Sequence, residues 1–82
     1  MDYDEARQLE SKIAGIYLQR SMALTELGQH ESAILDLKQA IRWLPQYALA
    51  HANRALALTL LGRDTEAEED VTQAELLGYD VI

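Results

Sequence analysis

The sequence contains no cysteine and no phenylalanine, and Pro45 is its only proline. Without cysteine the chain can form neither a disulfide framework nor a thiolate metal site, which favours a reducing compartment. We therefore expect a cytoplasmic location. No apolar run approaches the roughly 18 residues that a membrane span needs, and no basic segment followed by an apolar one opens the chain as a signal peptide would. These absences argue against a membrane as the partner.

Basic residues are also few, because seven Lys and Arg stand against 14 Asp and Glu and give a net charge of −7. This balance argues against nucleic acid and anionic membranes as partners. The sequence has no glycine-rich phosphate loop, no HExxH pair and no nucleophile elbow. We therefore predict no enzyme activity, no cofactor and no metal site, and we expect a protein or peptide partner.

What the sequence does contain is a repeat with a period of 34 residues. When residues 14–47 are aligned with residues 48–81, 11 of the 34 positions are identical. The identical pairs are Ala14/Ala48, Arg20/Arg54, Ala23/Ala57, Leu24/Leu58, Thr25/Thr59, Leu27/Leu61, Gly28/Gly62, Ala33/Ala67, Asp36/Asp70, Gln39/Gln73 and Ala40/Ala74. A fixed period in this range is typical of helical arrays that bind another molecule.

Apolar residues recur at three- to four-residue spacing over four stretches, which predicts four helices. The first is expected to end at Gly28 and the second at Pro45, because these residues commonly terminate helices. The third covers roughly residues 46–61, and the fourth about residues 65–77. The short connections predict an all-α domain in which successive helices pack antiparallel.

Each 34-residue unit resembles a tetratricopeptide repeat, whose pattern places aromatic, leucine and small residues at set positions of a helix hairpin. The matching residues are Tyr17, Ser21, Leu24, Ala33, Leu37, Ala40 and Pro45 in the first unit, and Ala55, Leu58, Ala67, Val71 and Ala74 in the second. The resemblance implies antiparallel hairpins stacked as a short right-handed α-solenoid. It further implies a single domain over residues 1–82, with repeats at 14–47 and 48–81.

Residues 1–13 precede the two units and allow two interpretations. They fit the end of a preceding repeat's second helix, and they equally fit a forward extension of the first helix. Between Asp4 and Leu27 only Gly15 interrupts the helix-forming residues, and a helical glycine costs only about 1 kcal/mol. We favour one continuous first helix.

The family resemblance implies a concave groove lined by the first helix of each hairpin. In this sequence the corresponding residues are Leu18, Gln19, Met22 and Glu26 from the first unit and Leu49, Ala52, Asn53, Leu56 and Leu60 from the second. Apolar side chains supply contact area there, and amides can hydrogen-bond a peptide backbone or cap a docked helix. We expect this groove to bind a peptide or a partner helix. The alternative is that these leucines pack against an adjoining helix or another copy of the chain.

The segment His51–Ala57 is similar to the middle repeat of family members that clamp the acidic C-terminus of heat-shock chaperones. Those members use two asparagines and several basic residues, of which only Asn53 is matched. The other positions of the clamp hold apolar or uncharged residues, namely Gly15, Leu18, Gln19, Met22 and Leu49. We therefore do not expect a carboxylate clamp.

Two charged pairs recur in the repeat register. Arg20 and Asp36 are 16 residues apart, as are Arg54 and Asp70. In antiparallel helices joined at a glycine, this spacing can bring the side chains together, and we predict a salt bridge across each hairpin.

Two further side chains are predicted to have packing roles. His51 takes the position of an aromatic residue, so we expect it to be half-buried. Trp43, near the end of the second helix, is expected to pack between the repeats.

A second functional hypothesis starts from the two ends of the stack, which have apolar residues and no evident covering helix. The alternative function is structural self-assembly, in which the chain forms a homodimer through these edges. The candidate edge residues are Leu9, Leu76, Leu77, Tyr79 and Val81.

Overall fold

The computed structural model describes residues 2–78, which form four α-helices and no strand. The helices are α1 (Tyr3–Glu26), α2 (His30–Trp43), α3 (Ala48–Leu60) and α4 (Asp64–Leu76). Helix α1 packs on α2 and α3 packs on α4, while α2 also packs on α3. The predicted all-α fold of stacked helix hairpins is confirmed. None of the helices in the described range is both long and apolar enough to cross a membrane.

Helix α1 has 24 residues and is continuous through Gly15. Of the two interpretations of residues 1–13, the structure therefore shows the forward extension of the first helix. The carboxylate of Asp2 caps it by accepting a hydrogen bond from the backbone N–H of Glu5 at 2.8 Å. Acidic residues in the first turn suit the positive end of the helix dipole. Because α2 has only 14 residues, the first turns of α1 extend beyond its partner.

Each hairpin turns at a glycine with positive φ. Gly28 and Gly62 both have φ of 77°, a conformation that L side chains rarely adopt. In each turn the next residue donates a 2.8 Å hydrogen bond back into the preceding helix, from Gln29 to the Leu24 carbonyl and from Arg63 to the Leu58 carbonyl. The repeated glycine therefore builds the same helix end twice.

The core is built largely from alanines at the helix contacts. Ala14 on α1, Ala33 and Ala40 on α2, and Ala50 on α3 are completely buried. Small side chains let the helix backbones approach closely, and Leu37 on α2 fills the remaining space as a large, almost fully buried residue. Because this core joins residues of α1, α2 and α3, α2 lies at the centre of the stack.

Both predicted salt bridges are present, and both are bidentate. Arg20 donates to the two carboxylate oxygens of Asp36 at 2.7 and 2.6 Å, and Arg54 donates to those of Asp70 at 2.6 and 2.7 Å. The hydrogen bond to Asp36 raises the pKa of Arg20. The pairs differ in exposure, because 64% of the Arg20 side chain is exposed but only 26% of that of Arg54.

The prediction for His51 was incomplete, because this side chain is fully buried and hydrogen-bonded at both ring nitrogens. Nδ1 lies 3.2 Å from a carboxylate oxygen of Asp70, and Nε2 lies 3.1 Å from the carbonyl oxygen of Pro45. Both partners are oxygen acceptors, one on α4 and one in the connection before α3. His51 thereby connects the loop between the hairpins to α4.

The prediction for Trp43 was wrong. Its side chain is exposed and lies in a shallow surface depression beside Tyr17, Gln39 and Arg42. The space between the hairpins is filled instead by the smaller side chains of Ile41, Leu44 and Tyr47, which pack against the buried core.

The glycines provide a matched test of the backbone argument. We expect Gly28→Ala to lower the free energy of unfolding by about 1 kcal/mol, because alanine is strained at positive φ. We expect Gly15→Ala to raise it by about 1 kcal/mol, since a Cβ there meets no atom within 4 Å and the site is helical. Urea unfolding followed by circular dichroism measures both changes, and equal effects at the two sites would contradict this explanation.

The exposures of the two salt bridges predict unequal coupling. A double-mutant cycle on Arg54 and Asp70, with alanine at each position, should give a coupling free energy of about 1 kcal/mol or more. The same cycle on the more exposed pair Arg20 and Asp36 should give a smaller coupling, because solvent screens that pair more strongly. Coupling near zero for Arg54 and Asp70 would show that the bridge does not hold the second hairpin together.

Candidate partner-binding groove

A cleft of about 230 Å³ lies between α1 and α3. Met22, Thr25 and Glu26 line it from α1, and Asn53 and Leu56 line it from α3. The structure therefore brings together Met22, Glu26, Asn53 and Leu56 from the set predicted for the groove.

Helical spacing explains why these side chains share one surface. On α1, Thr25 and Glu26 follow Met22 by three and four residues. On α3, Leu56 follows Asn53 by three, so each group lies on one helix face. The adjoining face of α1 contains Ser21, which is buried against the rest of the hairpin. The cleft thus forms where the two first helices lie side by side.

The cleft combines apolar surface with a few polar groups. Met22 and Leu56 expose 50% and 55% of their surface, so each has area left to contact a ligand. The amide of half-buried Asn53 lines the cleft and can both donate and accept a hydrogen bond. The Thr25 hydroxyl donates to the Ser21 carbonyl at 2.9 Å and is satisfied within α1. Among residues 2–78, Glu26 is the one charged residue lining the cleft.

One predicted groove residue was wrong. Leu18 is only 5% exposed and belongs to the core with Ala14, Leu37 and Ala50. Its side chain points towards α2 and α3 rather than to the surface, so it cannot contact a ligand without unfolding. Gln19, Leu49 and Leu60 are exposed but do not line the cleft.

Sequence reasoning missed Thr25 as a lining residue. The available signal was its position three residues after Met22, which puts it on the same helix face. Of the candidate edge residues, Leu9 and Leu76 are exposed and Leu77 is half-buried. Tyr79 and Val81 lie outside the described residues.

One exposed ion pair lies on the second hairpin, away from the cleft. Arg63 donates to both carboxylate oxygens of Glu66 at 2.8 and 2.7 Å, and this hydrogen bonding lowers the pKa of Glu66. No group of three His, Cys, Asp or Glu residues with metal-binding geometry occurs between residues 2 and 78. The cleft between α1 and α3 joins exposed apolar side chains and polar groups from both hairpins.

A protein-family model described as TPR repeat matches residues 22–62, which is half of the chain. The chain belongs to the tetratricopeptide repeat family. No solved structure matches the chain significantly. The matched segment contains the whole cleft, from Met22 to Leu56.

Two curated relatives match the chain, each over 67 residues. The chain is 36% identical over 67 residues to the small glutamine-rich tetratricopeptide repeat-containing protein 2 of Mycosarcoma maydis. It is 34% identical over 67 residues to the Protein STIP1 homolog of Dictyostelium discoideum. Each match covers 82% of this chain, but only 19% and 12% of the respective relatives. Family membership identifies the chain as a tetratricopeptide protein-interaction module.

The burial difference between neighbouring residues of α1 is testable. We expect Leu18→Ala to lower the free energy of unfolding by about 2 to 5 kcal/mol, because it leaves a cavity in the core. Met22→Ala, four residues later, should change it by less than about 0.5 kcal/mol, because half of that side chain is already in water. Chemical denaturation measures both. A large loss for Met22→Ala would mean that this residue supports the fold rather than the cleft surface.

Proposed function

We propose that this tetratricopeptide module holds a peptide or a partner helix in the cleft between α1 and α3. Met22 and Leu56 provide the apolar contacts, the Asn53 amide bonds the ligand backbone, and Glu26 attracts a cation. The observation that carries the proposal is that one cleft unites exposed apolar side chains from both repeats with the amide of Asn53.

The size of the cleft favours a chain laid across it over an enclosed small molecule. Small-molecule pockets usually measure about 300 to 1,000 Å³ and bury most of the ligand. At about 230 Å³ and open to solvent, this cleft accommodates one or two side chains of a longer ligand. The exposed surfaces of Leu49 and Leu60 on α3 extend the apolar contact area beyond the cleft.

Charge indicates which ligands fit. In the described part of the chain, Glu26 lines the cleft and no Lys or Arg does, and the whole chain has a net charge of −7. An apolar ligand segment with a Lys or Arg next to its apolar anchors complements this surface, whereas an acidic segment is repelled. The proposed ligand is therefore of opposite charge to the acidic tails that carboxylate-clamp members bind.

We also propose a role and a location for the module. The chain acts by binding rather than by catalysis, and its partner is a protein rather than a nucleic acid, as its acidity supports. We propose a cytoplasmic site of action on the basis of the cysteine-free composition.

A peptide-display selection with a matched pair of leucine variants tests the proposal. Leu56→Glu should weaken binding of the selected peptides by at least about tenfold, because it introduces a charge into the apolar part of the cleft. Leu76→Glu changes an even more exposed leucine on α4 and should leave binding unchanged. Fluorescence polarisation measures affinity, and circular dichroism checks that both variants remain folded.

The charge preference is tested on the same selected peptides. In Glu26→Lys, peptides with Lys or Arg beside their apolar anchors should lose affinity, and acidic analogues should gain it.

Peptides that bind Leu56→Glu as tightly as the wild-type chain would place the binding site elsewhere on the module.

A further inference from the structure

A second apolar surface runs along α1, on a face different from the cleft. Leu9, Ile13, Ile16, Ala23 and Leu27 follow one another at intervals of three, four or seven residues and form what we call the α1 stripe. Ile16 is 61% exposed, and Leu9 and Leu27 are exposed as well. With about 3.6 residues per turn, Ile16 lies roughly a third of a turn away from Met22 around the helix. The stripe and the cleft can therefore be occupied independently.

In the second hairpin, the equivalent surface is buried against another helix. The residues one repeat after Ile16 and Ala23 are Ala50 and Ala57, which are 0% and 1% exposed. They are buried because α2 packs on α3. The α1 stripe is the same surface of the repeat, which no helix between residues 2 and 78 covers, and it has the larger Ile16 where α3 has an alanine.

The opposite end of the stack does not offer a matching cover. Ile34 and Ile41 are the α2 side chains that pack towards the second hairpin. Their counterparts one repeat later on α4 are Glu68 and Glu75, which are both exposed. Stacking α4 of one copy on α1 of the next would press these carboxylates against Ile16. Burying unpaired charges is costly, so head-to-tail association is disfavoured.

Charge complementarity favours α1 of a second copy, in antiparallel orientation. An antiparallel pair that sets Leu9 against Ile16 of the second copy places Glu5 opposite Arg20 at both ends. The Arg20 guanidinium is exposed, and its bonds to Asp36 use Nε and one Nη only. A parallel pair would instead bring the acidic first turns together, where Asp4 and Glu5 lie.

We infer that the chain forms a two-fold homodimer through the part of the α1 stripe that contains Leu9, Ile13 and Ile16, with the axis close to Ile13. The contact is isologous, so it closes after two copies and does not propagate. One helix pair buries less than the roughly 1,200 Å² of a standard interface, so we expect a reversible dimer with a micromolar dissociation constant. Both clefts remain open, so this dimer does not depend on the proposed ligand and would present two ligand sites.

Sedimentation equilibrium over a hundredfold range of concentration tests the dimer. The wild-type mass should rise from 9.2 kDa to twice that value and no further. Ile16→Glu should remain monomeric throughout, whereas Leu76→Glu, the control at the other end, should dimerise like the wild type. Glu5→Lys should weaken the dimer by about fivefold, because it sets a cation against Arg20.

Single-cysteine variants test the position of the two-fold axis. The chain has no cysteine of its own, so any disulfide must form at the introduced residue. Ile13→Cys should form a covalent dimer on mild oxidation, and Leu76→Cys should not. A wild-type chain that stays at 9.2 kDa at every concentration would overturn the inference. Masses above the dimer, or cross-linking at residue 76 instead of residue 13, would replace it with head-to-tail association.

Discussion

The two-sided packing of α2 is the contact on which the rest of the molecule depends. Ala33, Leu37 and Ala40 are almost completely buried on this helix, which packs against α1 on one side and α3 on the other. Helices α1 and α3 share little contact of their own and are held side by side by α2. The cleft between them is therefore a consequence of the alanine contacts behind it, and its width depends on side chains that no ligand touches.

The fold was predictable because its signals are local and are repeated. Gly28 and Gly62 mark the hairpin turns, and Pro45 marks the connection between hairpins, so the helix bounds agree with expectation to within about two residues. The salt bridges were predictable for the same reason, since a spacing of 16 residues around a glycine turn places Arg54 beside Asp70. Met22, Asn53 and Leu56 meet because the repeat aligns equivalent faces of two helices.

What could not be predicted depends on how the helices are rotated against each other. Leu18 and Met22 are one helical turn apart, yet one is in the core and the other is half exposed. The sequence identifies both as apolar and does not show where the edge of the buried face lies. The partners of His51 were hidden for another reason: the Asp70 carboxylate is 19 residues away in sequence, and the carbonyl of the nearer Pro45 leaves no sequence signal.

The hydrogen bonds of His51 have a consequence for local opening of the native chain. The ring ties the carbonyl of Pro45, in the connection between hairpins, to the carboxylate that α4 presents to α3. Fraying of α4 would remove that carboxylate and free the imidazole, and the connection would then lose its anchor. Backbone amides in these two segments should therefore exchange with solvent as one cooperative unit, although they belong to different repeats. The projecting first turns of α1 have no such tie and should exchange on their own.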